Sequence, residues 1–91
     1  MLHLAVRNGS KGIAQALLVA GASANSRDDL GTFPLHLAVQ LRRQSMADLL
    51  LDHGADPDVT DAAGMTPLEV AVRSRDEDMV SLLISRGARV A

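Results

Sequence analysis

The chain repeats itself every 33 residues, and this periodicity constrains its fold more than any other feature. Leu2, Leu35 and Leu68 occupy one repeated position, which sets the spacing. Other identical residues recur at the same spacing: Ala5, Ala38 and Ala71; Val6, Val39 and Val72; Leu17, Leu50 and Leu83; Gly21, Gly54 and Gly87; Ala22, Ala55 and Ala88; Gly31 and Gly64; Pro34 and Pro67. Chance does not align so many glycines, prolines and leucines at a single shift. The sequence therefore predicts an array of similar units that stack on one another.

Each unit is predicted to contain two helices joined by turns, and the second unit shows the pattern most completely. Residues 31–34 are typical of a turn, and Pro34 suits the first turn of a helix, where its missing N–H costs nothing. The apolar spacing that follows predicts a first helix over roughly residues 35–42. Ser45 is the predicted N-cap of a second, more apolar helix, and Gly54 lies where a left-handed residue closes a helix.

Composition indicates a core made of closely stacked helices. Apolar residues make up 47% of the 91 residues, but Phe33 is the only aromatic residue, so the core has to be aliphatic. Such a core suits thin helices better than a sandwich or a barrel, where β-branched and aromatic residues dominate. The absence of cysteine excludes disulfides and thiolate chemistry.

The net charge bears on the class of partner, and the targeting signals bear on the cellular location. The net charge is −2, so the sequence gives no basic balance that would suggest nucleic acid or an anionic membrane as a partner. The first residues lack the basic and long apolar regions of a signal peptide, and no apolar run approaches the ~20 residues that span a bilayer. We therefore expect a soluble intracellular protein of the cytoplasm.

Two groups of segments resemble the ankyrin repeat family. GTFPLHLAV at 31–39, GMTPLEVAV at 64–72 and MLHLAV at 1–6 resemble its T-P-L-H-x-A element, and IAQALLVAGA, MADLLLDHGA and MVSLLISRGA resemble its second helix with a Gly-Ala ending. The resemblance covers essentially the whole chain. It implies an all-α solenoid of stacked helix-turn-helix units with short hairpin fingers between them. It also implies one domain over residues 1–91, with a truncated first repeat at 1–27, a second at 28–60 and a third at 61–91.

The sequence departs from the family pattern at the turns. Phe33 replaces the usual threonine and Glu69 replaces the usual histidine, so the turn hydrogen bonds are expected to differ between units. Arg42 and Arg75 stand where the family often has the glycine that Gly9 retains. These departures indicate a divergent natural repeat.

The histidines have structural interpretations that we favour over a metal site. His3 and His36 occupy equivalent repeat positions, and the resemblance implies that this histidine forms a hydrogen bond within the turn. His53 precedes Gly54 at a helix end, where a partly cationic side chain suits the helix dipole. No histidine has a second ligand four residues on, so we predict no metal site.

The acidic clusters are likewise interpreted as structural. Asp52, Asp56, Asp58 and Asp61 do not match an EF-hand loop and are predicted to be turn formers. The acidic run at 76–78 is expected at the N-terminus of the last helix. Because the chain also lacks a phosphate loop and a nucleophile elbow, we predict no enzyme activity and no cofactor.

The predicted function is protein–protein interaction, with another protein of unknown identity as partner. The resemblance implies contacts at the finger tips and late in each first helix, a surface that we call the concave face. Its candidate residues are Arg27, Asp29, Leu30 and Thr32, then Thr60, Ala62, Ala63 and Met65 on the fingers, and Arg7, Asn8, Gln40, Leu41, Arg73 and Ser74 on the helices. Leu30, Leu41 and Met65 stand out, because apolar side chains on a projecting surface are candidate contacts.

The alternative is a structural role in which the chain associates with itself or stacks on further repeats through its apolar terminal faces. Met1 aligns with Pro34, so the first unit lacks its opening finger. Without a polar capping repeat, apolar residues at the ends are expected to be exposed. The residues that we assign to these ends are Leu2, Ile13, Met79 and Val80.

Asn25 matches a family position that an asparaginyl oxygenase can hydroxylate. Asparagine at this position is also favoured by ordinary turn geometry, so modification and a purely structural role both stay open.

Overall fold

The computed structural model describes residues 2–89, and over these residues the chain forms helices and turns without any strand. Met1, which aligns with Pro34 in the repeat, and residues 90–91 lie outside the described residues. The helices come in three pairs: α1 (Leu2–Asn8) with α2 (Lys11–Val19), α3 (Pro34–Gln40) with α4 (Gln44–Asp52), and α5 (Pro67–Arg73) with α6 (Glu77–Ser85). We call these pairs units 1, 2 and 3. The all-helical prediction is confirmed.

The units stack in chain order, so that the helices form two layers. The first helices α1, α3 and α5 contact one another in sequence, as do the second helices α2, α4 and α6. Each of the helices between residues 2 and 89 is far shorter than the roughly 20 apolar residues that a membrane span requires.

The ends of the helices are set by residues in the left-handed conformation. Arg42, at φ 58°, closes α3, and the N–H of Arg43 donates to the carbonyl oxygen of Ala38 at 2.9 Å. The chain therefore turns within two residues, and α4 begins at Gln44 with Arg43 as its N-cap. The prediction that Ser45 caps this helix is wrong, because Ser45 already lies in the first turn of α4.

Replacing Arg75 by glycine is expected to stabilise the fold by about 0.5–1 kcal/mol. Arg75 has φ 56°, and a left-handed residue other than glycine costs about 1–2 kcal/mol, of which the greater chain entropy of glycine offsets part. Arg42→Gly should gain less, because Arg42 donates to the carbonyl oxygen of Ser74 and its guanidinium lies 4.0 Å from the Asp76 carboxylate. Urea unfolding of both variants measures the difference, and a lower stability for Arg75→Gly would contradict the argument.

The core is aliphatic and runs through all three units. The largest side chains that are fully buried include Leu35, Leu50, Met79 and Leu83. Leu2 and Met79, which we had assigned to exposed ends, are buried, so that part of the prediction is wrong. The position of Leu2 is buried in every unit, since Leu35 and Leu68 are buried too, and its burial does not depend on a neighbouring unit.

Equivalent residues of units 1 and 2 carry hydrogen bonds to the following unit. His3 Nε2 donates to the carbonyl oxygen of Thr32 at 2.8 Å, and His36 Nε2 donates to that of Met65 at 2.7 Å. The resemblance implied a bond within the turn, whereas the structure shows that each ring reaches the finger that opens the following unit. This bond could not be inferred from one unit, because its acceptor lies 29 residues away.

Asn25 and Asp58, equivalent residues in successive units, form a second set of bridges. Asn25 donates to the carbonyl oxygen of Gly54 at 3.0 Å and accepts from the N–H of Asp56 at 2.7 Å. Asp58 accepts from the N–H of Arg89 at 2.9 Å. Asn25 therefore has a structural role in joining units 1 and 2.

Arginine side chains form further bonds between neighbouring units. Arg43 reaches back to the carbonyl oxygen of Arg7 at 3.0 Å, at the end of α1. Arg86 donates to the carboxylates of Asp48 and Asp52 on α4, and the bond to Asp52 is the main cause of its raised pKa. Asp52 is thus an ion-pair partner and not the turn former that we predicted.

Candidate functional site

The two described fingers are rigid loops, each built around one aspartate. Asp28 Oδ1 accepts from the N–H groups of Leu30 and Thr32, both at 2.9 Å, while the N–H of Asp28 donates to the carbonyl oxygen of Thr32 at 3.0 Å. Asp61 repeats this arrangement with the N–H groups of Ala63 and Met65 at 2.9 and 3.0 Å. A short side chain that satisfies two backbone donors holds the tip of the finger in one conformation.

The turn-forming role predicted for Asp61 is confirmed, and so is that of Asp56, which accepts from the N–H of Asp58 at 2.9 Å. Asp28 was missed, although it lies one repeat before Asp61 and has the same role. The spacing of 33 residues alone would have identified it. Asp76 is the N-cap of α6 and accepts from the N–H of Met79 at 3.3 Å, in agreement with the interpretation of the acidic run.

The two fingers also pack against each other. Gly31 has φ 77°, and a Cβ atom placed there would lie 2.8 Å from the Cβ of Ala62. Glycine is therefore required at this position both by its backbone conformation and by the close approach of the second finger. The finger tips form one continuous surface as a result.

Acid is expected to loosen the first finger before it unfolds the helices. The hydrogen bond from the Thr32 N–H is the largest cause that lowers the pKa of Asp28 below its ordinary value of 3.8. A depressed pKa means that the carboxylate stabilises the folded finger above pH 3.8, and that this contribution is lost as the pH falls through the lower folded-state value. Amide exchange at Leu30 and Thr32, followed by NMR from about pH 5 down to about pH 2, measures the loss.

Asp28→Asn is the matched control for this prediction, because its amide oxygen still accepts a hydrogen bond but does not titrate in this range. In the control, the protection of the Leu30 amide against exchange should no longer fall as the pH is lowered. Equal acid sensitivity in both proteins would show that Asp28 is not the group responsible.

Most of the candidate contact residues are exposed to solvent. Thr32, Met65 and Ser74 are partly buried. The exposed ones are Arg7, Asn8, Arg27, Asp29, Leu30, Gln40, Leu41, Thr60, Ala62, Ala63 and Arg73. The backbone carbonyls of several candidates accept hydrogen bonds from a neighbouring unit, as Thr32 does from His3, but these bonds leave the side chains free to contact another molecule.

Leu30 is the most prominent apolar residue of this set. Its side chain is 77% exposed at the tip of the first finger, although its own N–H is fixed by Asp28. Leu41, at the end of α3, is 41% exposed. Met65 is only partly buried and lies at the base of the second finger.

A cavity of about 680 Å³ brings together Met65 and Arg73, two of the candidate residues. Leu68 and Val72 give it an apolar wall, and Glu69 also lines it. In unit 3, Glu69 occupies the repeat position of His3 and His36. Its side chain forms a capping box with Thr66, so it bonds within its own unit. The cavity therefore offers apolar surface with charges beside it.

The described titratable groups do not assemble into a metal centre. Over residues 2–89, no group of three or more histidine, cysteine, aspartate or glutamate side chains is placed to hold a metal ion. Two of the histidines, His3 and His36, are engaged with backbone carbonyls through Nε2.

Comparison with known sequences agrees with this architecture. The family model described as ankyrin repeats (3 copies) matches residues 2–91. The match spans all six helices of the described residues. No curated protein matches the chain.

Proposed function

We propose, since the chain belongs to the ankyrin repeat family, that it binds another protein through its concave face. Ankyrin repeats are generally protein–protein interaction modules, and the family is generally not enzymatic. The face in question consists of the finger tips and the exposed residues at the C-terminal ends of α1, α3 and α5. Binding through it would use side chains that the fold presents to solvent on backbone segments fixed by hydrogen bonds.

The observation that carries this proposal is the exposure of Leu30 on a rigid finger. Its side chain is 77% exposed, and the loop beneath it is fixed by the two bonds to Asp28. A loop whose backbone is already held in one conformation loses little backbone entropy on binding, so such a tip favours association. Leu41 supplies a second exposed apolar contact on the same face.

Charged residues on the concave face indicate the chemistry of the partner. Arg7, Arg27 and Arg73 are exposed there, and arginine is enriched among residues that dominate binding energy. Asp29 is the acidic candidate on the first finger. A partner with an apolar segment flanked by carboxylates would match this distribution, and the absence of Tyr and Trp favours modest affinity.

The test is affinity capture from a lysate of the source organism, followed by mass spectrometric identification. The wild-type chain is compared with a variant that carries Leu30→Asp, Leu41→Asp, Met65→Asp and Arg73→Glu. Val19→Asp is the control, since Val19 is strongly exposed on α2, away from the concave face. Circular dichroism first establishes that all three proteins are folded.

The proposal expects a partner that wild type and the Val19→Asp control retain and that the concave-face variant loses. Recovery of the same proteins by the concave-face variant, or of nothing but the chain itself by wild type, would contradict it.

A further inference from the structure

The repeat register shows which surfaces of a unit normally face a neighbour, because one repeated position can be compared in all three units. Met46 and Met79 are buried, whereas Ile13, the equivalent residue of unit 1, is 58% exposed. This position therefore faces the preceding unit. Unit 1 presents it to solvent in the described residues.

The opposite side of the unit shows the reverse pattern. Val6 and Val39 are fully buried, whereas Val72, the equivalent residue of unit 3, is 57% exposed. This position faces the following unit. One molecule thus presents two different apolar faces, at opposite ends of the stack, that match the two sides of the junctions inside it.

The residue types at the two ends preserve the apolar character of the internal junctions. We define the N-terminal face by Leu4, Ile13 and Leu17, whose equivalents in unit 2 are Leu37, Met46 and Leu50, all buried. We define the C-terminal face by Val72 and Val80, the equivalents of buried residues Val39 and Ala47. Leu4 is exposed, whereas Leu37 at the same position is buried.

Charge is also complementary across such a junction. Between units 1 and 2, Lys11 lines the same cavity of about 300 Å³ as Gln44. In the same register, Glu77 of unit 3 takes the place of Lys11, and Lys11 of a second copy takes the place of Gln44. A carboxylate would then face an ammonium group.

We propose that the C-terminal face of one chain binds the N-terminal face of a second copy, head to tail, in the register that joins its own units. Continuity with the two internal junctions identifies the occupant as a second copy. A head-to-tail contact that does not close on itself extends into short chains of copies.

The junction between copies lacks two of the polar bridges found inside the chain. Glu69 stands at the histidine position and cannot donate to a carbonyl as His36 does, and Ala20 stands at the position of Arg86. Association between copies is therefore weaker than stacking within the chain, and it increases with protein concentration.

Sedimentation velocity from micromolar to about millimolar concentration tests the proposal. The average mass of wild type should rise with concentration. Ile13→Asp and Val72→Asp each destroy one face, so each variant alone should remain monomeric. An equimolar mixture of the two should form a dimer and nothing larger, because each variant retains the face that the other lacks. Val19→Asp, on the outer side of α2, is the matched control and should associate like wild type.

Three results would overturn the proposal: a wild-type chain that stays monomeric throughout, single variants that still associate, or a mixture that stays monomeric. Circular dichroism checks that the variants are folded. If an aspartate variant does not fold, exposed charge reversals replace it: Glu77→Lys should weaken association, and Lys11→Glu in the same chain should restore it. Failure of that restoration would overturn the proposal equally.

Discussion

Replacing Val39 by aspartate is expected to unfold the chain, while the same replacement at Val72 leaves it folded. The two valines occupy one repeat position, but Val39 is fully buried between units and Val72 is 57% exposed. An unpaired carboxylate in an apolar interior costs several kcal/mol. That is comparable with the total stability of a small domain, which lies near the lower end of about 5–15 kcal/mol.

Circular dichroism at 222 nm, a wavelength at which helices absorb, and a thermal melt measure this difference. The identical change at an equivalent position makes Val72→Asp the control for the chemistry of the substitution. Equal loss of helix in both variants, or none in either, would show that the stacking register described above is wrong.

Replacing His36 by leucine is expected to destabilise the chain by about 1–3 kcal/mol, the cost of leaving a partly buried acceptor without its donor. Leucine fills the space of the buried ring but cannot donate to the carbonyl oxygen of Met65, which His36 Nε2 does at 2.7 Å. Units 2 and 3 lose the bond that joins their first helix and finger. Urea unfolding measures the change in free energy.

His53→Leu is the matched control, because His53 is exposed at the C-terminal end of α4. Its effect should stay within about 0.5 kcal/mol, as is usual for surface substitutions. If both histidines can be replaced at equal cost, the inter-unit hydrogen bond does not stabilise the stack.

Phe33 affects the hydrogen bonding at the N-terminus of α3, next to His36. His36 Nδ1 is buried without a hydrogen-bond partner among residues 2–89, and Phe33 gives α3 no side-chain cap. At the equivalent position Thr66 accepts from the N–H of Glu69 at 3.2 Å. Phe33, whose ring packs against that of His36, thus leaves α3 without the cap that Thr66 gives α5.

The spacing of 33 residues was sufficient to predict the helix pairs and the left-handed glycine that ends α4. A repeat fixes which residues are equivalent, so a feature internal to one unit can be inferred from any of the units. It does not show which side of a unit meets its neighbour. That is why Met79 was assigned to an exposed end although it is buried, and why the histidine bond was placed within its turn.

The prediction that Ser45 is the N-cap of α4 was wrong for a local reason. Serine is a favourable N-cap, but the left-handed turn at Arg42 ends α3 early enough for α4 to begin at Gln44. Sequence propensity does not indicate a left-handed arginine. For the candidate contact surface, the sequence predicted residues that are largely exposed, but the rigidity of the fingers became evident only from the hydrogen bonds of Asp28 and Asp61.

Methyl NMR of the chain with its captured partner tests the central claim most directly, because leucine, valine, isoleucine and methionine cover both the concave face and the two ends. Binding through the concave face predicts that the methyl signals of Leu30, Leu41 and Met65 shift or broaden when the partner is added, while those of Ile13 and Val80, which lie outside the cavity shared by Met65 and Val72, stay unchanged. Shifts confined to Ile13 or Val80, with Leu30, Leu41 and Met65 unaffected, would contradict the claim and assign partner binding to the ends of the stack.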